Sequence, residues 1–167
     1  KIFDVVNWFL VQASEETPIT HLALQKLLYF TQGWNLSLLG KEMFSEDCQA
    51  WAHGAVYPKV YEYFKKFKYM PLPGIEEEPV LEEDELKILN AVKTFYFDVY
   101  SAKALEEICH REKPYIEVRK GYSQEMPGKE VIDKEIISAY YKGIADKYEI
   151  KLEELSNIKK YLYELLI

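Results

Sequence analysis

The sequence predicts a mainly α, single compact helical domain of six to eight helices, with room for a small two-stranded β element. Three observations carry this expectation. Apolar residues recur at three- and four-residue spacing through most of the chain, which is the helical period. Strand-like alternation is confined to one short stretch, "CQAWA", at residues 48–52. Of the 167 residues, 49% are hydrophobic and 15% aromatic, with 14 Tyr among them. That is ample material for the core a chain of this length can bury.

The elements follow in order. "IFDVVNWFLVQASEE" puts Ile2, Val5, Val6, Phe9, Leu10 and Ala13 on one face of a helix. It stops before Pro18, whose ring disfavours helical geometry in the preceding residue. "PITHLALQKLLYFTQGWNLSLLG" is a longer helix, capped by Thr20 and closed by Gly40 in the left-handed conformation. Leu24, Leu27, Leu28 and Leu38 share a face, and Phe30 and Trp34 widen the apolar arc. A helix apolar so far round sits at the centre of its fold. Gly33 inside it costs about 1 kcal/mol against alanine, so close approach of another backbone is expected there.

"CQAWA" reads as a short strand or extended arm that Gly54 breaks. Pro58 then opens a helix at a position where its missing N–H is harmless, and Val60, Tyr61, Phe64 and Phe67 follow at helical spacing. "MPLPGIEEEP" is a turn-rich connector, expected to be a mobile loop. The next helix gathers its acids at the N-terminal end, where the helix dipole favours them, and its apolar positions run from Leu86 through Ile88, Leu89, Val92, Phe95 and Tyr96 to Val99. Ser101 caps a short helix carrying Leu105, Ile108 and Cys109, and Pro114 starts another helical turn. "SQEMPGKEV" is loop with a brief extended piece. Asp133 is expected to cap a helix that turns Ile136, Ile137, Tyr140, Tyr141 and Ile144 inward. "KLEELSNIKKYLYELLI" closes the chain as one amphipathic helix with Leu152, Leu155, Ile158, Leu162, Leu165 and Leu166 on a face. It either packs on its own domain or offers a docking element, for a partner or for a second copy in a homodimer.

Charge narrows the partners. The net charge is −7, but "EEEPVLEEDE" at residues 76–85 holds seven acidic residues. The 28 acidic residues less those seven leave 21, against 21 basic ones, so the remainder is neutral. That is a poor footprint for nucleic acid, which needs a basic stripe to displace counterions. Lys59, Lys65, Lys66 and Lys68 cluster locally and read as an ordinary lysine-rich helix surface. Cys48 and Cys109 stand far apart with no metal-ligand spacing, and are expected to be reduced thiols in a cytoplasm. No run of about 18 apolar residues is present to span a membrane.

Catalytic patterns are missing from the sequence. His21, His53 and His110 lack any partner at metal-motif spacing, so neither a metal nor another cofactor is expected. His21 reads as a polar residue in a helix's first turn. There is no nucleophile elbow and no glycine-rich phosphate loop. Cys109 adjoins His110, but neighbouring helical residues point about 100° apart, and Cys109 reads as a small core residue. Two stretches stand out, "WAHGAVYPKVY" and "HREKPYIEVRKGY", each joining aromatics, a histidine and a proline ahead of a helix. Each is either a rigid corner or part of a recognition surface, since Trp, Tyr and Arg supply ordered contact area at low entropy cost.

These blocks resemble the Panacea domain, also described as the SocA-like or GepA-like prophage-associated domain. Its L-K-L-Q-K-L-L-Y-x-x-Q pattern maps onto Leu24, Gln25, Lys26, Leu27, Leu28, Tyr29 and Gln32, and its G-K-x-L-F onto Gly40, Lys41 and Phe44. Its W-x-x-G-P-V-x-P-x-V-Y-x-x-F maps onto Trp51, Gly54, Val56, Pro58, Val60, Tyr61 and Phe64. "HREKPYIEVRKGY" is similar to its H-x-E-x-P-W-x-x-A-R-x-G, giving His110, Glu112, Pro114, Arg119 and Gly121. "IDKEIISAYY" is similar to its closing helix. Ala55, Tyr115 and Val118 depart from the usual Pro, Trp and Ala. The likeness runs over residues 1–143 and leaves 144–167 as a C-terminal helical extension.

The resemblance implies an antitoxin, the antidote half of a two-gene system often found in prophages. Its partner would be the toxin encoded by an adjacent gene, with a protease as a second partner if the chain delivers that toxin for degradation. The family brings no catalytic residues. The expected structural signature is Lys26, Tyr29, Trp51, Gly54, Pro58, Tyr61 and Pro114. The expected partner-binding residues are His53, Tyr57, Lys59, His110, Tyr115 and Arg119. A DNA-binding regulator of its own operon and a hydrolase using His53 or His110 are the other readings.

Overall fold

A computed structural model describes all residues, 1–167. The chain forms eight helices, the longest of them central. In chain order they are α1 (Ile2–Gln12), α2 (His21–Leu39), α3 (Pro58–Phe64), α4 (Glu83–Val92), α5 (Ala102–Arg111), α6 (Lys113–Val118), α7 (Lys134–Tyr148) and α8 (Ile158–Leu166). The expected mainly α class therefore holds, but the sheet has three strands. β1 (Gln49–Trp51) pairs antiparallel with both β2 (Gly54–Val56) and β3 (Glu130–Val131), giving the order β2-β1-β3. The third strand comes from far along the chain. Its two residues are exposed and too few to show alternation.

α2 is the hub, with α1, α3, α4, α5 and α7 and strand β2 packed around it. Its ends follow the local chemistry of the sequence. The Thr20 hydroxyl accepts from the Ala23 N–H at 3.3 Å, and Gly40 closes the helix at φ 71°. Ser101 caps α5 in the same way, accepting from the Ala104 N–H at 3.2 Å. At α4, the Glu85 carboxylate accepts from the Glu82 N–H at 3.1 Å. Asp133 precedes α7 as expected, yet its side chain makes no capping hydrogen bond.

Four expectations are corrected by packing. Gly33 is there for a side chain, not a backbone: a Cβ would lie 2.6 Å from Cε2 of the Tyr141 ring. α4 passes into a wider turn at Lys93–Phe97, which buries Tyr96 and turns Val99 outward. Tyr96 gains from this, stacking on Phe30 at 4.4 Å and accepting from Trp34 Nε1 at 2.9 Å. On α7, Ile136 faces outward at 42% exposure while Ile137, Tyr141 and Ile144 are buried. The C-terminal helix is shorter than its apolar pattern, because a Lys151–Glu154 bridge and a tight turn at Leu155–Asn157 precede Ile158. In the turn-rich connector, Leu72 is buried and its N–H donates to Ile19 O at 2.8 Å.

The C-terminal helix packs on its own domain. Ile158, Tyr161 and Leu162 are buried in the same core as α2 and α7. Its anchor is polar. Glu112, wholly buried, accepts from Tyr141 Oη at 2.7 Å and from Tyr161 Oη at 2.5 Å. Tyr140 Oη lies 2.8 Å from Tyr161 Oη and extends the chain of hydroxyls. Burial pushes the Glu112 carboxyl up to about 7, against the pull of the tyrosine hydroxyls.

Between about 4.5 and 7 the unfolded chain has ionised this carboxyl while the folded one still holds its proton. Glu112 therefore favours the folded state fully below its unfolded pKa, and that contribution is lost as pH rises through 7. In chemical denaturation, the stability difference between wild type and Glu112→Gln should shift against wild type as pH rises from about 5 to about 7.5. A difference that stays constant across that range would contradict this role for Glu112.

Candidate functional site

The site begins with polar residues on a helix that is otherwise apolar. Gln25, Lys26, Gln32 and Asn35 of α2 are all buried. Each bonds the backbone of the chain that follows the helix. Asn35 Nδ2 donates to Lys41 O at 2.9 Å. Gln32 is used at both ends, donating to Phe44 O and accepting from the Met43 N–H, each at 2.7 Å. Lys26 Nζ donates to Ala55 O at 2.8 Å, and Gln25 Oε1 accepts from the Tyr57 N–H at 2.8 Å. The segment from Lys41 to Tyr57 thus lies against α2, and a buried backbone group left unpaired would be costly.

Lys26 is wholly buried, which is rare for an unpaired ammonium. Burial lowers its pKa to about 8, against the opposite pull of Cys109, Glu106 and Cys48. Its stem runs beneath the β1–β2 turn, and Gly54 makes the space. Gly54 has φ 109°, and a Cβ there would lie 2.6 Å from Lys26 Cε. The two-residue link Ala52–His53 closes the hairpin, with Trp51 opposite Gly54.

The second unusual stretch holds the same hairpin from the other side. Tyr115 Oη reaches Trp51 O at 2.6 Å and Ala52 O at 3.2 Å. Arg119 donates to the carbonyls of Ala50, Ser123 and Met126 and stacks over Tyr122 at 4.8 Å. His110 stacks on Tyr115 at 4.7 Å, and its Nε2 is buried without a partner. Burial lowers the His110 pKa, while Glu106 pulls it the other way. Glu106 is itself 2% exposed. It pairs with His53 Nδ1 at 2.9 Å and Lys103 Nζ at 2.7 Å. Burial raises its pKa, but the hydrogen bond and charge of Lys103, the hydrogen bond of His53 and the charge of His110 outweigh this and hold it below the usual carboxylate value.

Beside the hairpin lies a cavity of about 720 Å³. Its walls include His21, Trp51, His53 and Tyr61, and its charged residues are Lys26, Lys65, Lys68, Lys103 and Lys129 against Glu106 and Glu125. Trp51 and Tyr61 meet edge to face at 4.8 Å. His21 is buried, its pKa lowered to about 4 by burial and by Lys26, and its Nε2 is 3.0 Å from Gln25 Nε2. Cys109 packs beneath, its Sγ 3.5 Å from the Ala55 N–H. Burial pushes both thiols up to about 12, so neither is ionised near neutral pH. No three His, Cys, Asp or Glu side chains come close enough together to hold a metal ion.

The six residues expected at a partner surface do not share one exposed face. His53 lines the cavity, and Lys59 is exposed elsewhere, paired with Glu46 at 3.3 Å. Tyr57, Tyr115 and Arg119 are buried at 1%, 6% and 8% exposure and brace the hairpin. His110 is half-buried. Of the structural signature, Lys26 and Tyr29 are wholly buried, Gly54 is the turn, and Pro58 and Pro114 open α3 and α6. Trp51 and Tyr61 line the cavity. Sequence reasoning did not single out Lys103, Glu106 or Lys129, and gave Gln25 only as a position of the family pattern. The only sequence hint was the three-residue spacing of Lys103 and Glu106 on a helix.

The geometry defines a class: a small helical domain whose central helix staples a hairpin over a buried lysine and leaves a basic, aromatic-walled cavity beside it. The chain belongs to the antitoxin SocA-like family, Panacea domain, whose family model matches residues 24–116. That span holds α2 from Leu24 onward, the hairpin, α5 and the Lys26, Gly54 and Glu106 constellation. The chain is also similar to Antitoxin SocA of Caulobacter vibrioides (strain NA1000 / CB15N), 43% identical over 61 residues. The matched part is 36% of this chain and 32% of that relative, so the chain spans about a third of the protein it matches. No solved structure matches.

Two outcomes follow for the hairpin. Gly54→Ala forces a methyl into the Lys26 stem at a φ that L-residues rarely adopt, and should destabilise by about 2–4 kcal/mol in denaturant titration. A Lys whose folded pKa is lowered binds fewer protons than the unfolded chain between the two values, so stability rises with pH there. From about pH 8 to about 9.5, wild type should gain stability relative to Lys26→Met. Parallel curves would show that Lys26 does not titrate in that range.

Proposed function

We propose that this chain is the antitoxin of a toxin–antitoxin pair and neutralises its cognate toxin by binding it. The toxin is the product of an adjacent gene. The observation that carries this reading is the family match over residues 24–116. Its support is physical as well. Matched residues such as Gln25, Lys26 and Tyr115 hold one hairpin in place, and a pre-organised surface loses little entropy on binding. On this reading the partner-facing residues are His53 and Lys59, with Trp51 and Tyr61 as aromatic anchors. Tyr57, His110, Tyr115 and Arg119 act through the hairpin they brace.

The mode of action is binding without bond chemistry. Both thiols are un-ionised near neutral pH, and burial lowers the His110 pKa. On this reading the family domain is 1–143 and 144–167 its C-terminal extension, with α7 running unbroken across that boundary to Tyr148. The pair acts in the cytoplasm of a bacterium or a prophage carrier, and a protease completes the system if the toxin is handed over for degradation. No helix of the chain is long and apolar enough to cross a membrane.

The test is co-expression with the neighbouring gene's product in a growth-arrest assay, followed by affinity purification. The chain should restore growth and co-purify with the toxin as a stable complex. Failure of both, with the two proteins expressed at comparable levels, overturns the reading. Rescue that vanishes only when host proteases are deleted would assign neutralisation to degradation.

A further inference from the structure

The cavity beside the hairpin is positively charged on a molecule whose net charge is −7, with five lysines lining it against two glutamates. Lys103 is already paired with Glu106, which also holds His53, and Lys65 with Glu62, so Lys26, Lys68 and Lys129 remain against Glu125. The single hydrogen bond of Lys26 goes to a neutral carbonyl, so no carboxylate neutralises it directly. At the rim, Lys68 and Lys129 are exposed and join no ion pair of the fold. Lys68 stands at φ 51° and ψ −117°, outside the regions an L-residue favours. Lys129 Nζ lies 6.0 Å from the Trp51 ring centre, so charge and aromatic surface meet at one point. Tyr69 is 95% exposed beside them.

We infer that this cavity receives an acidic segment of a protein partner, with a carboxylate between Lys68 and Lys129 and an apolar neighbour against Trp51 and Tyr61. Naming the toxin as that partner rests on the antitoxin reading above; the cavity's preference for an acidic peptide does not. Charge complementarity selects this occupant. A carboxylate supplies the compensation that the uneven lysine count lacks, and long-range attraction to a basic cavity speeds encounter. Nucleic acid fits less well. The basic residues line a walled cavity and form no stripe, and the chain also carries seven acids at residues 76–85, which would repel phosphates.

Trp8 and Trp34 are 1% exposed, which leaves Trp51 as the tryptophan that reports on this surface. The free protein is titrated at low salt, following tryptophan fluorescence. The probes are an acetylated, amidated hexapeptide of alternating Glu and Leu, its Gln/Leu counterpart, and a six-residue thymidine oligonucleotide. The Glu peptide should change the signal saturably, and the Gln peptide should not. The change should weaken at least about tenfold in Lys68→Glu/Lys129→Glu and persist in the control Lys142→Glu/Lys159→Glu. No saturable change, equal binding to the reversed variant, or tighter binding of the oligonucleotide would each overturn the inference.

The same variants are then compared for binding to the adjacent-gene toxin. A toxin complex indifferent to Lys68→Glu/Lys129→Glu sinks this docking site and leaves the antitoxin reading standing. Peptide binding without any toxin complex does the reverse.

Discussion

The structure turns on a set of buried hydrogen bonds made by one helix. Gln25, Lys26, Gln32 and Asn35 sit on α2 among leucines and aromatics, and each closes on a backbone group of the chain between Lys41 and Tyr57. That segment has only two short strands of regular structure. Its carbonyls and amides would otherwise be buried without partners, at a cost of about 1–3 kcal/mol each. The polar residues of α2 therefore act as the missing strand or helix for a stretch of irregular chain. This also explains why the helix is apolar nearly all round yet not uniformly so.

Lys26 and Gly54 form one unit within that set. A buried ammonium is unfavourable unless it is well bonded, and this one has a single carbonyl. The arrangement survives because Gly54 lets the hairpin lie close over the lysine stem, with the β2 carbonyl in reach. Tyr115 and Arg119 close the hairpin from the far side through its own carbonyls. The outcome is a hairpin fixed from two directions, with its tip residue His53 exposed and tied to Glu106. Rigidity at the hairpin and charge in the neighbouring cavity thus share one origin in α2 and α5.

A second polar knot ties down the C-terminal helix. Glu112 lies at the junction of α5 and α6, and its two oxygens collect hydroxyls from α7 and α8. The C-terminal helix is held by this carboxyl as well as by Ile158 and Leu162. Its residues Ile158, Tyr161 and Leu162 are buried against its own domain.

Much of this was legible in the residues. Thr20 and Gly40 mark α2 because capping and left-handed closure are local properties of those side chains. Pro58 and Pro114 mark helix starts for the same reason, and the three-to-four spacing locates the core faces of α1, α2 and α5. The family pattern was readable too, since its blocks are contiguous. What was hidden arises between distant segments. β3 joins β1 across some 80 residues and carries no alternation of its own. Gly33 accommodates a ring more than 100 residues away, and Ile136 turns outward although its pattern matches that of Ile137. The cavity is assembled from α2, the hairpin, α3, α5 and the loop before β3, and no spacing rule links Lys68 to Lys129. Periodicity and caps are set by neighbours a few residues apart, so one chain read in order reveals them. Which buried charge faces which carbonyl, and which lysines share a cavity, is settled only when remote parts of the chain compete for the same space.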